Sequence, residues 1–189
     1  MKCLEKAELK KIFRIKKRPT DNPLICHFPS FDEAIKYLNP LPAYVGKLTA
    51  VLSPGPVSYL LPLKIPSTLE PATRGRAQAI IRIPMHEMFL KLLREIPFPL
   101  AAPSANTSGK FSATNAAMIE ADLGNKIDGV LDGGASSVGI ESTIINCTSS
   151  NPQILRPGFI TPQMAEESTG LKVDNPNTEI RVSGNLESH

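Results

Sequence analysis

Residues 101–114 read AAPSANTSGKFSAT, and the strand-to-helix connection that this stretch predicts anchors our interpretation of the whole chain. It holds five hydroxyl side chains, one amide and one glycine within eleven residues. Small side chains let main-chain N–H groups approach a ligand closely, and hydroxyls bind phosphate oxygens. A helical pattern begins near Thr114 and Asn115, so a helix N-terminus beside the stretch favours an anion. The same composition is also typical of an ordinary polar loop.

The composition indicates a globular protein of one domain, or of one domain with a tail. The chain has 189 residues, of which 41% are hydrophobic and 21% charged. The net charge of +3 is too small to imply a nucleic-acid partner by itself, although basic residues crowd the first eighteen positions. The three cysteines share no disulfide or zinc spacing, and no apolar run is long enough to span a membrane. We therefore expect a cytoplasmic protein with no membrane partner.

Hydrophobic periodicity predicts a mixed sequence of helices and strands. Ser30 and Thr161 stand where helix N-caps are expected, and Gly124 stands where a C-cap is expected. Strands and helices do not alternate strictly, which predicts an α/β domain with a twisted mixed sheet flanked by helices. The predicted helices are 4–17, 31–38, 45–52, 85–95, 114–123 and 162–167. The predicted strands are 24–28, 57–63, 77–84, 97–102, 129–131, 141–147 and 153–155. Residues 66–75 are predicted to form a loop.

Several polar residues have both a structural and a functional interpretation. Lys16 and Arg18 lie at a helix end, where cations favour the macrodipole, but they are equally suited to clamp a phosphate or carboxylate. His27, in LICHF, is more typical of a satisfied strand histidine than of a ligand. Arg82, in AIIRIP, needs a partner, because burying a lone guanidinium is costly. Its partner is either Glu141 or an anionic substrate.

Three more polar residues follow the same pattern. His86 comes four residues after Arg82 and can serve the same pocket. Ser142 precedes an apolar strand. Arg156 begins a turn, where a surface arginine is the simple explanation. The sequence carries no catalytic-triad order, paired carboxylates, Walker loop or dinucleotide fingerprint. Together these residues predict a cationic concave pocket, rich in hydroxyls, that suits a nucleotide beside a small carboxylate.

Taken together, the motifs resemble the Sua5/YrdC/YwlC family, the threonylcarbamoyl-AMP synthases of tRNA modification. The order and spacing of the matching segments cover roughly residues 4–167. The segments are KIFRIKKRPTDNPLICHF at 11–28, SPGPVSYLLP at 53–62, IIRIPMH at 80–86, PLAAPSANTSGKFSAT at 99–114, DGGASSVGIESTII at 132–145 and LRPGFI at 155–160.

The resemblance implies that L-threonine, bicarbonate and ATP, with Mg²⁺ accompanying the ATP, react to L-threonylcarbamoyladenylate and pyrophosphate. A partner complex then transfers the threonylcarbamoyl group to adenosine 37 of tRNAs that read ANN codons. No covalent nucleophile is needed, so cations and hydroxyls replace a triad. No carboxylate cluster in the sequence marks a metal site built by the protein.

The resemblance also assigns residue roles. The K-x-R and S-x-N motifs, taken as catalytic, are Lys16 with Arg18 and Ser104 with Asn106. Arg82 binds the threonine carboxylate, and His27 and Ser142 bind threonine as well. The ATP-binding residues implied are Arg18, Asn22, Ala102 through its main chain, Ser104, Ser112 and Arg156.

The sequence departs from the family pattern in three places. Relatives normally begin with a strand and a P-T-E-T-x-Y-G-L segment that closes over threonine, and this chain starts at the helix that follows. Gln78 stands where a threonine often contacts nucleotide. The final SGNLESH resembles the start of the linker of longer Sua5 proteins. We therefore expect a YrdC-like domain over residues 1–168 that lacks its N-terminal strand, a polar tail over 169–189, and no C-terminal Sua5 domain.

Two other functions remain open from the sequence. The basic helix at 4–18 and a cationic sheet suit a non-catalytic RNA- or tRNA-binding module, or an inactive fragment, although aromatic residues amount to only 5%, which is poor for base stacking. A related carbamoyl-adenylate chemistry, as in hydrogenase-maturation proteins, is less consistent, because their acylphosphatase and zinc-finger-like segments are not visible here.

Overall fold

A six-stranded mixed sheet organises the domain. The computed structural model describes residues 3, 5–175, 180 and 182. The strands are β1 Ile25–His27, β2 Val57–Pro62, β3 Gln78–Arg82, β4 Leu100–Ala101, β5 Thr143–Asn146 and β6 Gln153–Arg156. Their order across the sheet is β4-β1-β3-β2-β5-β6. The pairs β1–β3 and β2–β5 are parallel, and the other three pairs are antiparallel. The predicted α/β fold with a mixed sheet is confirmed.

Seven helices accompany the sheet in the described residues, and their ends follow local capping rules. Ser30, Asn115 and Thr161 each accept a main-chain N–H bond at a helix start, as N-cap side chains do. The predicted caps at Ser30 and Thr161 are therefore confirmed. The helices are α1 Lys6–Lys16, α2 Phe31–Ile35, α3 Ala43–Leu52, α4 Glu70–Thr73, α5 Glu87–Glu95, α6 Ala116–Leu123 and α7 Pro162–Thr169.

One face of the sheet forms the main hydrophobic core. Side chains alternate between the two faces of a strand, so Cys26, Tyr59, Ile81 and Ile145 point to the same side. They pack with the apolar residues of α1 and α3, including Leu9 and Leu48. The amphipathic pattern of α1, in which Leu9, Ile12 and Phe13 are buried and the lysines mostly exposed, explains why this helix lies on the sheet.

The second face of the sheet is divided into an apolar half and a polar half. Ile25, Leu60, Ile80 and Ile144 form a separate buried cluster. Polar residues on the same face stand two residues away: His27 and Arg82 follow Ile25 and Ile80, and Ser58 and Ser142 precede Leu60 and Ile144. This face thus places polar side chains from four strands or strand ends side by side.

Three predicted elements differ in the structure. Residues 129–131 form no strand, because the chain there is exposed or half-exposed and finds no neighbour in the sheet. The predicted loop 66–75 contains the short helix α4. Gly124 follows α6 in a right-handed conformation (φ −47°) and starts a 3₁₀ turn, Gly124–Lys126, rather than adopting the left-handed conformation of a glycine C-cap.

The predicted polar tail begins within α7, which ends at Thr169. Leu171 and Val173 pack against the main core, and Asp174 pairs with Gln153 of β6. Val182 is buried in the apolar cluster of the second face. The described part of residues 169–182 therefore lies against the domain. Residues 176–179, 181 and 183–189 of the predicted tail lie outside the described residues.

Candidate functional site

A cavity of about 470 Å³ lies over the polar half of the second sheet face. It opens where β1 and β3 end and where β2 and β5 begin, so four elements contribute side chains to one space. The structure brings eight of the predicted site residues together in its wall: Arg18, His27, Arg82, Ala102, Ser104, Ser112, Ser142 and Arg156. Lys16, Asn22 and Asn106 do not line it.

Arg82 and His27 stand side by side in the cavity wall. They are register partners on the parallel strands β3 and β1, so their side chains leave the same face of the sheet. Within the described part of the chain, the buried Nε of Arg82 has no hydrogen-bond partner. Burial lowers the pKa of Arg82 from its usual value. An unsatisfied buried donor on a cation indicates a missing anionic or carbonyl partner.

His27 is a neutral imidazole. Burial, and to a lesser extent the positive charge of Arg82, lower its pKa to about 3. The Nδ1 atom lies 3.3 Å from the Leu100 carbonyl oxygen, to which Nδ1–H donates. The ring also packs against Phe89, with 5.3 Å between ring centroids. Because Nδ1 carries the proton, Nε2 is left as a hydrogen-bond acceptor.

Arg156 is buried and holds Ser142, so the sequence-based explanation of a surface arginine is wrong. Its guanidinium donates to the Ser142 carbonyl from Nε at 3.1 Å and from one terminal nitrogen at 2.8 Å, and the same terminal nitrogen lies 3.1 Å from Ser142 Oγ. Ser142 Oγ also bonds Ser58 Oγ at 2.8 Å. Burial lowers the pKa of Arg156 to about 10, with Arg82 and Arg18 adding to the shift and Glu141 opposing it. Arg156 therefore stays charged at neutral pH.

Arg18 enters the cavity from the turn after α1. Its guanidinium donates to the main-chain carbonyls of Asn22 at 3.4 Å and Pro23 at 2.9 Å. Burial lowers the pKa of Arg18 to about 10, so it too remains a cation at neutral pH. Asn22 thus contributes a main-chain oxygen that orients Arg18.

Lys16 and Asn106 organise the loop that carries Ser104 and Ser112. Lys16 Nζ donates to the carbonyl oxygens of Ser104 and Asn106, and its own carbonyl accepts from Ser108 N at 2.8 Å. The Asn106 amide closes the loop by donating to the Lys110 carbonyl at 2.7 Å. Burial lowers the pKa of Lys16 to about 8. The contacts that the structure shows for both side chains are with atoms of this loop.

Sequence reasoning missed part of the opposite wall. Residues 134–140 form it as a glycine-rich loop, which the sequence indicated only as a segment shared with a family. His86 Nε2 lies 3.1 Å from the Gly133 carbonyl, and a Cβ on Gly133 would come within 2.6 Å of the His86 ring. The glycine at 133 is what allows this approach. Phe89 also lines the cavity, although its helical spacing suggested only core packing.

The charge balance of the cavity favours an anionic ligand. Arg18, Arg82 and Arg156 contribute three guanidinium groups, and Glu141 is the one carboxylate among the described lining residues. Glu141 accepts a hydrogen bond from Ser112 Oγ. Guanidinium groups bind carboxylate and phosphate oxygens in bidentate fashion.

The described residues contain no group of three or more His, Cys, Asp and Glu side chains that could hold a metal ion. None of the helices in the described ranges is long and apolar enough to cross a membrane.

Comparisons with known proteins place this chain in one family. A family model named Sua5_yciO_yrdC and described as "Telomere recombination" matches residues 2–158. The threonylcarbamoyl-AMP synthase of Bacillus subtilis is 41% identical over 163 residues, which cover 86% of this chain and 47% of that protein. The threonylcarbamoyl-AMP synthase of Pyrococcus abyssi is 38% identical over 170 residues, covering 89% of this chain and 49% of that protein.

A solved structure extends the match to three dimensions. The crystal structure of P. abyssi Sua5 complexed with L-threonine superposes with a TM-score of 0.86 at 36% identity, covering 93% of this chain and 51% of that chain. The chain thus spans about half the length of the relatives it matches. The resemblance seen in the sequence motifs is confirmed: by a family model over residues 2–158, by sequence identity and by fold, the chain belongs to the Sua5/YciO/YrdC family.

Proposed function

We propose that this chain is the catalytic domain of an L-threonylcarbamoyladenylate synthase. It forms threonylcarbamoyl-AMP and pyrophosphate from L-threonine, bicarbonate and ATP. The observation that carries the proposal is the unpartnered Nε of Arg82, buried in a cavity that also holds Arg18 and Arg156. The names of the B. subtilis and P. abyssi relatives, and the L-threonine in the P. abyssi structure, support the same reaction.

Threonine occupies the sheet side of the cavity. Arg82 takes the carboxylate, which satisfies its free Nε–H and supplies the missing countercharge. The neutral His27 offers Nε2 as an acceptor to the ammonium or hydroxyl group of threonine. Ser142, fixed by Arg156 and Ser58, presents a hydroxyl whose position is already set before the ligand arrives. A preset subsite of this kind reduces the entropic cost of binding.

ATP occupies the loop side of the cavity. Arg18 and Arg156 neutralise the phosphates, and Ser104, Ser112 and the main chain at Ala102 supply hydrogen bonds. Mg²⁺ arrives with ATP and neutralises phosphate charge when bound; the described residues contain no cluster of ligands that would hold the ion independently. Lys16 and Asn106, assigned to catalysis by family motif, act in this proposal by holding the loop.

The chemistry requires positioning rather than a protein nucleophile. Once the ammonium group of threonine has lost one proton, the amine nitrogen forms a bond to the carbon of bicarbonate and the carbon–hydroxyl bond breaks. The hydroxide leaves as water with a second proton from that nitrogen, and the product is a carbamate. A carbamate oxygen then attacks the α-phosphorus of ATP, and the bond to the pyrophosphate oxygen breaks. Negative charge accumulates on the α-phosphate oxygens in that step. The guanidinium groups of Arg18, Arg82 and Arg156 are half-buried or buried, so they stabilise such charge more strongly than cations fully in water would.

The product carries an activated threonylcarbamoyl group. We propose that it serves tRNA modification at adenosine 37 in the cytoplasm, through a downstream transfer complex. The exposed cations of α1 offer an alternative use as an RNA-binding surface without chemistry. The structure favours the enzyme, because Arg82 and Arg156 are directed into a cavity sized for small molecules rather than onto an open surface.

The test is release of pyrophosphate that depends on both threonine and bicarbonate. The chain is incubated with ATP, Mg²⁺, threonine and bicarbonate, and each component is omitted in turn. We expect Arg82→Met to lower threonine-dependent release at least about 100-fold, because the carboxylate loses its partner. Arg94→Met removes an exposed arginine outside the cavity and should leave the rate unchanged. Salt-sensitive tRNA binding without nucleotide affinity or pyrophosphate release would overturn the proposal in favour of an RNA-binding module.

A further inference from the structure

Asp122 occupies an unfavourable position on its helix. It lies in the last turn of α6, where the macrodipole disfavours a negative charge. Its side chain is nonetheless mostly buried, with 15% of its surface exposed. An acidic side chain at this end of a helix needs specific partners, and the loop that carries Ser104 and Ser112 supplies three donor groups from two residues.

The three donor groups belong to Thr107 and Lys110, which lie in one tight turn of that loop. Asp122 Oδ2 accepts from Thr107 N at 2.6 Å, and Oδ1 accepts from Thr107 Oγ1 at 3.0 Å. Lys110 Nζ donates to Oδ1 as well. These bonds lower the pKa of Asp122 to about 2, with the Lys110 contact as the largest cause. The carboxylate is therefore ionised throughout the neutral range.

The loop is thus held from two directions. From α1, Lys16 Nζ donates hydrogen bonds to the carbonyl oxygens of Ser104 and Asn106. From α6, the Asp122 carboxylate accepts hydrogen bonds from the main-chain N–H and the hydroxyl of Thr107. Ser104 and Ser112, at the two ends of the segment, line the cavity, whereas Asp122 does not. On the threonine side, His27 and Arg82 are held by the pairing of β1 with β3.

We propose that Asp122 is a positioning residue for the nucleotide side of the cavity, acting through Thr107 and Lys110 on the placement of Ser104 and Ser112. This inference rests on the proposed function. It predicts that loss of the Asp122 carboxylate weakens ATP binding while threonine binding is preserved. A merely structural role would instead lower stability and affect both substrates together.

The experiment compares Asp122→Ala, Asp122→Asn and Glu120→Ala in the chain as it exists. Glu120 is an exposed acid on the same helix and serves as the matched control. For Asp122→Ala we expect the KM and Kd for ATP to rise about tenfold, because a displaced loop misaligns its hydroxyls. The Kd for threonine, measured by calorimetry without nucleotide, should stay within about twofold, since its residues lie on other elements. Asp122→Asn, which keeps an acceptor for Thr107 N, should be intermediate, and Glu120→Ala should equal the parent.

Amide hydrogen exchange provides a readout that does not depend on turnover. In Asp122→Ala, exchange at Thr107 should accelerate, while the amides of β1 and β3 stay protected. Unchanged ATP affinity together with unchanged Thr107 exchange would overturn the inference, and so would an equal loss of affinity for ATP and threonine. If the parent chain releases no pyrophosphate, the proposed synthase activity fails, and the ATP affinities and Thr107 exchange rates still decide the role of Asp122.

Discussion

Acidification should destabilise this domain through one buried histidine. His27 is neutral in the folded protein, where burial and the neighbouring Arg82 lower its pKa to about 3. In the unfolded chain its pKa returns to about 6.5. The unfolded state therefore binds more protons than the folded state between these two values. The free energy of unfolding consequently falls as the pH is lowered through this range, and the loss is recovered on raising the pH.

The size of the effect follows from the two pKa values. At pH 7.5 the imidazole is almost entirely neutral in both states, so its titration contributes almost nothing. At pH 5.0 the unfolded state gains about 2 kcal/mol from protonation that the folded state cannot match, since each pKa unit corresponds to about 1.4 kcal/mol. That amount is a large fraction of the stability of a typical domain.

The assay is urea unfolding at a series of pH values between 5.0 and 7.5 at constant ionic strength. The substitution His27→Asn keeps a nitrogen donor for the Leu100 carbonyl but removes the titration. The stability of this variant should fall about 2 kcal/mol less than that of the parent over the same range. Ile25→Val, two residues earlier in β1, is the control: it should cost about 1 kcal/mol at every pH and leave the pH dependence of the parent unchanged.

The reasoning is refuted if His27→Asn and the parent lose the same stability between pH 7.5 and 5.0. That result would mean that His27 is protonated in the folded state, or that it titrates alike in both states. It would also remove the argument that Nε2 is available as an acceptor. A variant that loses more stability than the parent at low pH would reverse the sign and contradict the buried neutral imidazole directly.

Three further substitutions test other parts of the structure. Arg82→Met should raise the free energy of unfolding by about 1 kcal/mol in urea melts, because it removes an unsatisfied buried donor, and a less stable variant would contradict this. Gly158→Ala should lower the free energy of unfolding by about 2 kcal/mol, because its Cβ would lie 2.6 Å from main-chain atoms near the start of β5. Gly46→Ala is the matched control: this glycine lies in α3 with open space around it, so the substitution should raise the free energy of unfolding by about 0.5–1 kcal/mol. Thr161→Ala should lower stability by about 1 kcal/mol, because the bond to Met164 N at the start of α7 is lost, and Thr161→Ser should restore most of it in thermal unfolding.

Much of the architecture follows from local sequence signals. The apolar runs around residues 25, 57, 80 and 144 are buried on both faces of the sheet, and such strands read as continuous hydrophobic stretches. Ser30 and Thr161 mark helix starts because their hydroxyls satisfy free N–H groups. Residues 129–131 failed as a strand because β propensity describes a fit to a neighbouring strand, and none lies beside them.

Some site residues are recognisable from the sequence, and others only from contacts that the fold creates. Arg82 was conspicuous because a cation in an apolar strand demands an explanation, and it lines the cavity with an unsatisfied donor. His27 is ambiguous in sequence, since only the β1–β3 register places it beside Arg82. Asp122 carried no signal at all: its role arises from contacts with a loop 12 and 15 residues earlier, and such pairings are set by tertiary packing. The roles of Lys16 and Asn106 likewise depended on which main-chain oxygens lie within reach.

The hydrogen bonds from Lys16 to the 104–110 loop suggest which loop position tolerates substitution. Lys16 contacts the carbonyl oxygens of Ser104 and Asn106, together with Asn106 Oδ1 at 3.4 Å, so its contact at position 104 does not depend on the side chain there. Ser104 can therefore be exchanged for other small residues without relocating the backbone beneath it. A library varied at that position, with Lys16, Asn106 and Asp122 left intact, would test whether position 104 controls the choice of nucleotide at the proposed ATP site.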